Sequence, residues 1–154
     1  MKTLLSLVVA LAIVLPTGMA AAQQPAAPAV PMQYGSPINL EQAKKNSWPV
    51  AIVILDSGGQ MVMMQRLDNT QWGSVDIAKE KARTAVALRR PTKVLQDGIA
   101  QGGVNLRFLS TGFSVLEGGI PIVHDNKIIG SIGVSGVTSQ QDAQTAQAGQ
   151  DALK

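Results

Sequence analysis

The single histidine of this 154-residue chain, His124, is the first candidate for metal or acid–base chemistry. Histidine is the residue type whose unperturbed pKa lies near neutrality, and its imidazole is a common metal ligand. The residue comes directly before Asp125 and Asn126, which predict the tip of a hairpin. Two interpretations stay open: His124 binds a metal centre, or it is a solvated turn residue. The second is favoured, because a mobile turn holds a metal ligand poorly.

Two acidic residues, Asp76 and Glu80, lie four positions apart in a segment that is predicted to be helical. Residues with this spacing are neighbours on a helix, so the two carboxylates could share a hard cation such as iron. Lys79 and Arg83 lie on or near the same face and can neutralise both acids. A surface network of ion pairs is therefore the alternative, and the nearby cations favour it.

Three methionines stand close together, at positions 61, 63 and 64. Alternation along a strand predicts that Met61 and Met63 share one face and that Met64 points the other way. A thioether can bind a soft metal such as Cu(I), but methionine more often fills gaps in a hydrophobic core. We expect the core role.

Three glycines, Gly130, Gly133 and Gly136, precede a predicted helix start, where free amides attract anions. This spacing is not the dinucleotide-binding fingerprint. Glycines three apart in a strand instead indicate close approach of another backbone or a subunit contact. Ser135 lacks the G-x-S-x-G sequence of a hydrolase nucleophile, so the sequence gives no support to hydrolase chemistry.

Composition excludes several further classes of function. The chain has no cysteine, which excludes disulfides, thiol catalysis and cysteine-bound zinc. Thirteen Lys plus Arg against ten Asp plus Glu give a net charge of +3, with Lys44–Lys45 and Arg89–Arg90 as the adjacent basic pairs. Because the basic residues form no patch, we do not expect nucleic-acid binding.

The first 22 residues have the pattern of a secretory signal peptide. Lys2 supplies a positive charge, the apolar run 4–15 follows, and Ala20 and Ala22 are small residues suited to cleavage. The run is shorter than the roughly 20 apolar residues that span a bilayer, so we expect no membrane anchor after cleavage. The mature protein is expected to begin near Gln23 and to be periplasmic or secreted.

The rest of the chain divides into a linker and one domain. Residues 23–37 are rich in proline and alanine and predict an extended linker, and residues 38–154 predict the folded domain. Asn39 and Ser74 are expected to cap the first and second helices, and Ser139 with Asp142 resembles a capping box for the last. Strands are predicted at 50–55, 60–67, 112–116, 120–124 and 128–134, and helices at 39–45, 74–89, 92–100 and from 139 onwards. Hairpins in place of βαβ units indicate an α+β fold with an antiparallel sheet.

A series of short motifs runs through the predicted domain in order and without large gaps. They are Pro49–Val53 leading into Asp56–Gly59, then Arg66–Asp68, Asp76–Ala78, Lys81–Ala85, Arg90–Thr92, Gly118–Ile122, Ile129–Gly136 and Gln141–Asp142, followed by Ala146 and Gly149. This series resembles the GlcG/HbpS family. The resemblance implies a profilin-like five-stranded antiparallel sheet flanked by helices, homo-oligomerisation, and, in several members, haem binding with occasional haem breakdown or iron capture.

The resemblance gives the candidate residues a specific ligand. Arg66, Arg83 and Arg107 could hold haem propionates, because guanidinium groups suit carboxylates, with ordinary surface charge as the alternative. His124 could bind haem iron, although the resemblance supplies no ligand at that position. Some members are reported to use acidic pairs for iron, but the spacing of Asp76 and Glu80 departs from their acid-x-x-Glu pattern.

Export and resemblance together imply a periplasmic or secreted protein that binds haem or iron. The alternatives are a haem-degrading enzyme and an extracytoplasmic sensor or accessory subunit. Nothing in the sequence supplies a redox cofactor site, so we expect a binding protein rather than an enzyme. Its expected partners are haem or a related small molecule, and further copies of the same chain.

Overall fold

The computed structural model describes residues 37–152. The helices are α1 (Pro37–Lys45), α2 (Gly73–Leu88), α3 (Lys93–Ala100) and α4 (Ser139–Asp151), and a 3₁₀ helix spans Gly103–Thr111. The strands are β1 (Ala51–Asp56), β2 (Met61–Arg66), β3 (Gly119–His124) and β4 (Lys127–Ser135). Within 37–152, no helix is long and apolar enough to cross a membrane. The predicted signal peptide and residues 23–36 of the predicted linker lie outside the described residues.

One antiparallel sheet carries all four strands, in the order β2-β1-β4-β3. β1 is central and residues 51–55 are buried, as its continuous aliphatic sequence predicts for a strand covered on both faces. Ile52 and Ile54 pack with residues of α1 and α4, whereas Val53 and Leu55 pack with residues of α2. The sheet is therefore sandwiched between helices, and the predicted α+β class is confirmed.

Five strands were predicted, from the sequence pattern and from the resemblance alike, and that number is wrong. Residues 37–152 form four strands, and residues 112–116 are not a strand. The Ser114 amide donates to Thr84 Oγ1, at 2.9 Å. The Glu117 amide likewise donates to Gln96 Oε1, at 2.9 Å. Side chains of α2 and α3 thus accept hydrogen bonds from amides that a strand would donate to its neighbouring strand. These bonds keep the segment out of the sheet. A profilin-like arrangement stays a prediction.

The first two helices begin before the residues that we expected to cap them. α1 begins at Pro37, so Asn39 lies within the helix, and proline suits a first turn because its missing N–H would have no helical partner there. α2 begins at Gly73, and Trp72 before it makes no side-chain cap. The Ser74 hydroxyl is buried without a hydrogen-bond partner among the described residues. Neither Asn39 nor Ser74 is therefore a cap.

The last helix does begin with a capping box, but one residue earlier than predicted. Thr138 Oγ1 accepts from the Gln141 amide at 3.4 Å, and Gln141 Oε1 accepts from the Thr138 amide at 3.1 Å. The predicted pair of Ser139 with Asp142 is wrong, because Gln141 supplies the reciprocal bond. The carboxylate of Asp142 is left for a different partner.

The two predicted hairpins are confirmed, but one contains a β-bulge. β1 pairs with β2 and β3 pairs with β4, the second through a turn in which Asp125 and Asn126 have positive φ. In the first hairpin Met63 lies opposite Ile54, and Met61 lies opposite Leu55. Because Ile54 and Leu55 point to opposite faces, the bulge turns Met61 away from the face of Met63.

Only one of the three clustered methionines takes the expected place in the core. Met63 packs against the cluster that contains Ile52 and Ile54, whereas Met61 and Met64 are about half exposed. β2 is an edge strand, so the helices leave part of it uncovered. The expectation of core packing is therefore wrong for Met61 and Met64.

Close contact between α2 and the sheet depends on glycine. A Cβ atom at Gly133 in β4 would overlap the carbonyl oxygen of Ala78, and one at Gly119 in β3 would overlap that of Lys81. Ala78 and Ala82 present the small face of α2 at this contact, and both are fully buried. The interpretation of Gly133 as a point of close backbone approach is confirmed.

Replacing Gly133 by alanine is expected to lower the free energy of unfolding by about 1 to 3 kcal/mol, because α2 must move away from the sheet. Denaturant unfolding of the purified variant measures this change. Gly98 in α3 is the matched control, since a Cβ there meets nothing within 4 Å. Gly98→Ala should stabilise the protein by about 0.5 to 1 kcal/mol through helix propensity. Equal stability of the two variants would contradict the close contact.

Candidate functional site

A cleft between α3 and the 3₁₀ helix is the main candidate for a small-molecule site, and we call it the apolar cleft. Its volume is about 460 Å³, within the range of small-molecule sites. Five aliphatic or aromatic side chains supply most of its surface, and two arginines join them. The lining residues are Arg90, Val94, Leu95, Gly98, Ile99, Val104, Asn105, Arg107, Phe108 and Thr111.

Hydrogen bonds hold the 3₁₀ helix against α3 and so define the apolar cleft. Asn105 Nδ2 donates to the Gly98 carbonyl at 2.9 Å, which ties the two walls together. Ser110 and Thr111 donate to carbonyl groups one turn earlier, at 2.8 and 2.7 Å. The ring of Phe108 stacks on Phe113, with centroids 6.3 Å apart. Contacts within the chain therefore hold both walls of the apolar cleft in place.

Arg83 supports the apolar cleft from behind rather than lining it. Its guanidinium carbon lies 5.0 Å from the centroid of the Phe113 ring, a cation–π distance. It also donates to the Gly112 carbonyl and to Glu80 Oε2, both at 2.8 Å. Arg83 therefore fixes the segment that carries Phe113, the partner of Phe108.

Two arginines line the apolar cleft itself. Arg107 was predicted to meet a carboxylate ligand, and its position in the lining is compatible with that role. Arg90 was not predicted, although the basic pair Arg89–Arg90 just before Pro91 was a visible signal. Arg90 Nε donates to the Leu88 carbonyl at 3.2 Å. A guanidinium group has five donors, so others can reach a ligand.

The structure separates two other predicted site residues from the apolar cleft. Arg66 is the last residue of β2, where it lies opposite Ala51. His124 is the last residue of β3, and its Nε2 lies 3.5 Å from Asp125 Oδ2. Neither residue lines the apolar cleft.

The predicted iron pair is partly engaged in another contact. Glu80 forms an ion pair with Arg83, with Arg83 Nη2 at 2.6 Å from Glu80 Oε2. Asp76 lies exposed in the first turn of α2. Within residues 37–152 there is no group of three or more His, Cys, Asp or Glu side chains that could hold a metal ion. Glu80 thus takes part in an ion pair, as the alternative interpretation expected. An iron site at Asp76 and Glu80 stays a prediction.

A buried ion pair joins α2 to α4 near the end of β4. Lys81 Nζ donates to Asp142 Oδ2 at 2.7 Å and to the Val134 carbonyl at 2.9 Å. Asp142 Oδ1 in turn accepts from the Val137 amide at 3.2 Å. Both side chains are only 2% exposed. The pair therefore ties two helices on opposite faces of the sheet.

Burial shifts the pKa of both members of this ion pair. Loss of solvent lowers the pKa of Lys81, and the hydrogen bond and charge of Asp142 oppose that shift. Loss of solvent likewise raises the pKa of Asp142 against the opposing effect of Lys81. Sequence reasoning missed the pair, although Lys81 stands three residues after Ala78 and four before Ala85. That spacing places a lysine on the buried face of α2.

Comparison with known proteins supports a single family. A family model described as haem degrading protein HbpS-like matches residues 38–151. Protein GlcG of Escherichia coli strain K12 is 41% identical over 96 residues, which cover 62% of this chain and 70% of GlcG.

Two solved structures have the same fold. The PduOC–haem complex has a TM-score of 0.69 and 28% identity, and the match covers 76% of this chain and 87% of that chain. A double mutant of HbpS from Streptomyces reticuli has a TM-score of 0.67 and 31% identity, and the match covers 76% of this chain and 80% of that chain.

Proposed function

The chain belongs to the HbpS-like family, and from this premise we propose that it binds haem in the apolar cleft. The observation that carries the proposal is the chemistry of the cleft, an apolar lining that includes Arg90 and Arg107. The solved structure of PduOC, which has the same fold, is a complex with haem.

The residues of the apolar cleft fit the two chemical parts of haem. Val94, Leu95 and Phe108 offer apolar surface to a porphyrin ring, whose removal from water favours binding. Arg90 and Arg107 offer guanidinium donors to the propionate carboxylates, and such charge-assisted hydrogen bonds are strong. Haem would supply an iron centre, and the protein would supply orientation and partial exclusion of water.

The apolar cleft does not offer a usual haem iron ligand. Haem iron is ordinarily held by His, Cys, Met or Tyr, and none of these lines the cleft. His124, one sequence candidate, lies at the β3–β4 turn instead. We therefore propose that ring contacts and propionate contacts provide most of the affinity.

A binding role and a degrading role predict different fates for bound haem in the presence of an electron donor. The family description names haem degradation, which needs an electron donor. We propose binding as the role of this chain, because its apolar cleft supplies contacts for the ring and the propionates of haem. Incubating the haem complex with ascorbate in the presence of catalase separates the two roles. Persistence of the Soret band supports a carrier, and its loss with release of product supports an enzyme.

Titration of the purified protein with haemin tests the proposed site. We expect a Soret band that saturates at a fixed ratio of haemin to protein. Val94→Glu should weaken binding by about tenfold, because a carboxylate in the cleft repels the propionates and removes apolar contact. Val62→Glu is the matched control, since Val62 is similarly exposed but lies on β2. Equal affinity of the two variants would place haem elsewhere, and the absence of a saturable band would contradict haem binding.

We propose in addition that the protein acts outside the cytoplasm and self-associates. The support for export is the pattern of residues 1–22, with an N-terminus expected at or near Gln23 by mass spectrometry of the exported form. The support for self-association is the family resemblance together with exposed apolar side chains on the 3₁₀ helix that do not line the apolar cleft, at Leu106 and Leu109. Light scattering of the purified protein tests the second point.

A further inference from the structure

We propose that the chain has a second ligand site, separate from the apolar cleft, which binds a small organic ammonium ion through Glu117. The site is a cavity of about 420 Å³ between α4, the start of β3 and the start of α3. Its surface is mostly apolar, like that of the apolar cleft, and we call it the polar cavity after the glutamine, lysine and glutamate side chains in its lining. Its lining residues are Pro91, Lys93, Glu117, Gly118, Gly119, Ile120, Gln140, Ala143, Gln144 and Gln147.

One wall of the polar cavity is a row of amide side chains. Gln140, Gln144 and Gln147 are spaced four and then three residues apart, so they lie on one face of α4. A glutamine amide both donates and accepts hydrogen bonds. This wall can therefore hold polar groups of a ligand without selecting their charge.

Glu117 on the opposite wall supplies the charge. Only 8% of this residue is exposed, and Gln96 Nε2 approaches its Oε2 at a long 3.4 Å. Gln96 Oε1 also accepts a hydrogen bond from the Glu117 amide at 2.9 Å, and this bond fixes the backbone at the cavity. A buried carboxylate is costly unless it is well hydrogen-bonded or paired with a cation. The polar cavity thus presents a carboxylate that a ligand cation would stabilise.

Lys81 and Lys93 interact electrostatically with Glu117, but each is hydrogen-bonded to a different carboxylate. Lys81 is hydrogen-bonded to Asp142 and to the Val134 carbonyl. Lys93 is paired with Asp97, with nitrogen–oxygen distances of 2.8 and 3.0 Å. Lys93 and Glu117 are the charged residues that line the polar cavity. With Lys81 and with Asp97 and Asp142, which hold the two lysines, Glu117 completes a group of two cations and three anions that carries one net negative charge. That balance favours a cationic ligand over an anionic one.

Gly118 sets the boundary between the polar cavity and the buried ion pair. Its φ is +121°, and a Cβ there would lie 2.9 Å from Lys81 Nζ and 2.9 Å from Asp142 Cβ. The chain therefore passes directly over the pair with no side chain between them. Pro91, Ile120 and Ala143 add apolar surface, so the ligand class is a short carbon chain that ends in an ammonium group.

Ethanolamine is a suitable probe, with ethylene glycol as a neutral analogue and acetate as an anionic one. We expect ethanolamine to shift the amide resonances of Gly118 and Gly119 saturably, with a Kd of about 1 to 10 mM for so small a ligand. Ethylene glycol and acetate should bind at least about tenfold more weakly. Equal or tighter binding of either analogue would overturn the assignment, as would the absence of a saturable shift.

Variants of the two walls locate the ammonium group. Glu117→Gln keeps the shape and should weaken ethanolamine about tenfold or more, and haemin affinity should not change. Gln144 is exposed, so Gln144→Ala should fold normally and weaken ethanolamine several-fold, whereas Gln101→Ala outside the cavity should have no effect. An unchanged affinity in both wall variants would overturn the proposal. Because haemin is titrated separately, this result does not depend on haem binding.

Discussion

Replacing Asp142 by asparagine is expected to lower the free energy of unfolding by about 3 to 5 kcal/mol. The substitution keeps the size of the side chain but leaves the Lys81 ammonium without its counter-ion. Lys81 is 2% exposed at its side chain, so water cannot replace the lost carboxylate. Chemical denaturation at neutral pH measures the change, with circular dichroism of the variant as the check that it folds.

Two further variants separate the buried charge from a general effect of substitution. Asp97→Asn removes an exposed partner of Lys93, a pair whose side chains are 54% and 53% exposed, and should cost no more than about 0.5 kcal/mol. The double variant Lys81→Met with Asp142→Asn should be more stable than Asp142→Asn alone, because the uncompensated cation is gone. A double variant no more stable than the single one would contradict this account.

Replacing Arg107 by alanine is expected to weaken haem binding by about tenfold to a hundredfold. The physical reason is the loss of a charge-assisted hydrogen bond to a propionate, which contributes about 1.5 to 3 kcal/mol. Arg107 lines the apolar cleft from the 3₁₀ helix, and its backbone carbonyl accepts from the Ser110 hydroxyl at 2.8 Å. Haemin titration followed at the Soret maximum measures the affinity.

The other sequence candidates provide the comparison for this result. Arg66→Ala and His124→Ala should leave haem affinity unchanged, because neither residue lines the apolar cleft. Arg83→Ala should have an intermediate effect, since Arg83 holds Phe113 and through it Phe108. Loss of the Soret band in His124→Ala with retention in Arg107→Ala would make the imidazole the ligand and would place haem outside the cleft.

Local sequence patterns predicted most of the helices and strands. The aliphatic run of β1, the Asp125–Asn126 turn and the small face of α2 each depend on residues close in sequence. Such patterns are read from backbone preferences and periodicity. The strand predicted at 112–116 failed because the amides of Ser114 and of Glu117, just after the segment, found partners in Thr84 and Gln96, which are distant in sequence.

The candidate site was less accessible to sequence reasoning. Arg107 was selected by resemblance, and its location in the apolar cleft depends on how the 3₁₀ helix packs on α3. Arg83 was selected as a ligand, but its contacts with Glu80 and Phe113 make it a supporting residue. A single bulged residue in β2 moved Met61 to the other face, which strict alternation cannot foresee.

The sequence by itself determined the family, the α+β class, most of the helical and strand segments and the small residues that let α2 approach the sheet. These features follow from local preferences and from the order of motifs along one chain. Only the tertiary structure decided that Lys81 meets Asp142, 61 residues later, and that Glu117 borders a cavity of α4 glutamines. Contacts of this kind depend on how packed elements bring distant residues together, and burial then lowers the pKa of Lys81 and raises that of Asp142. No local pattern contains that information.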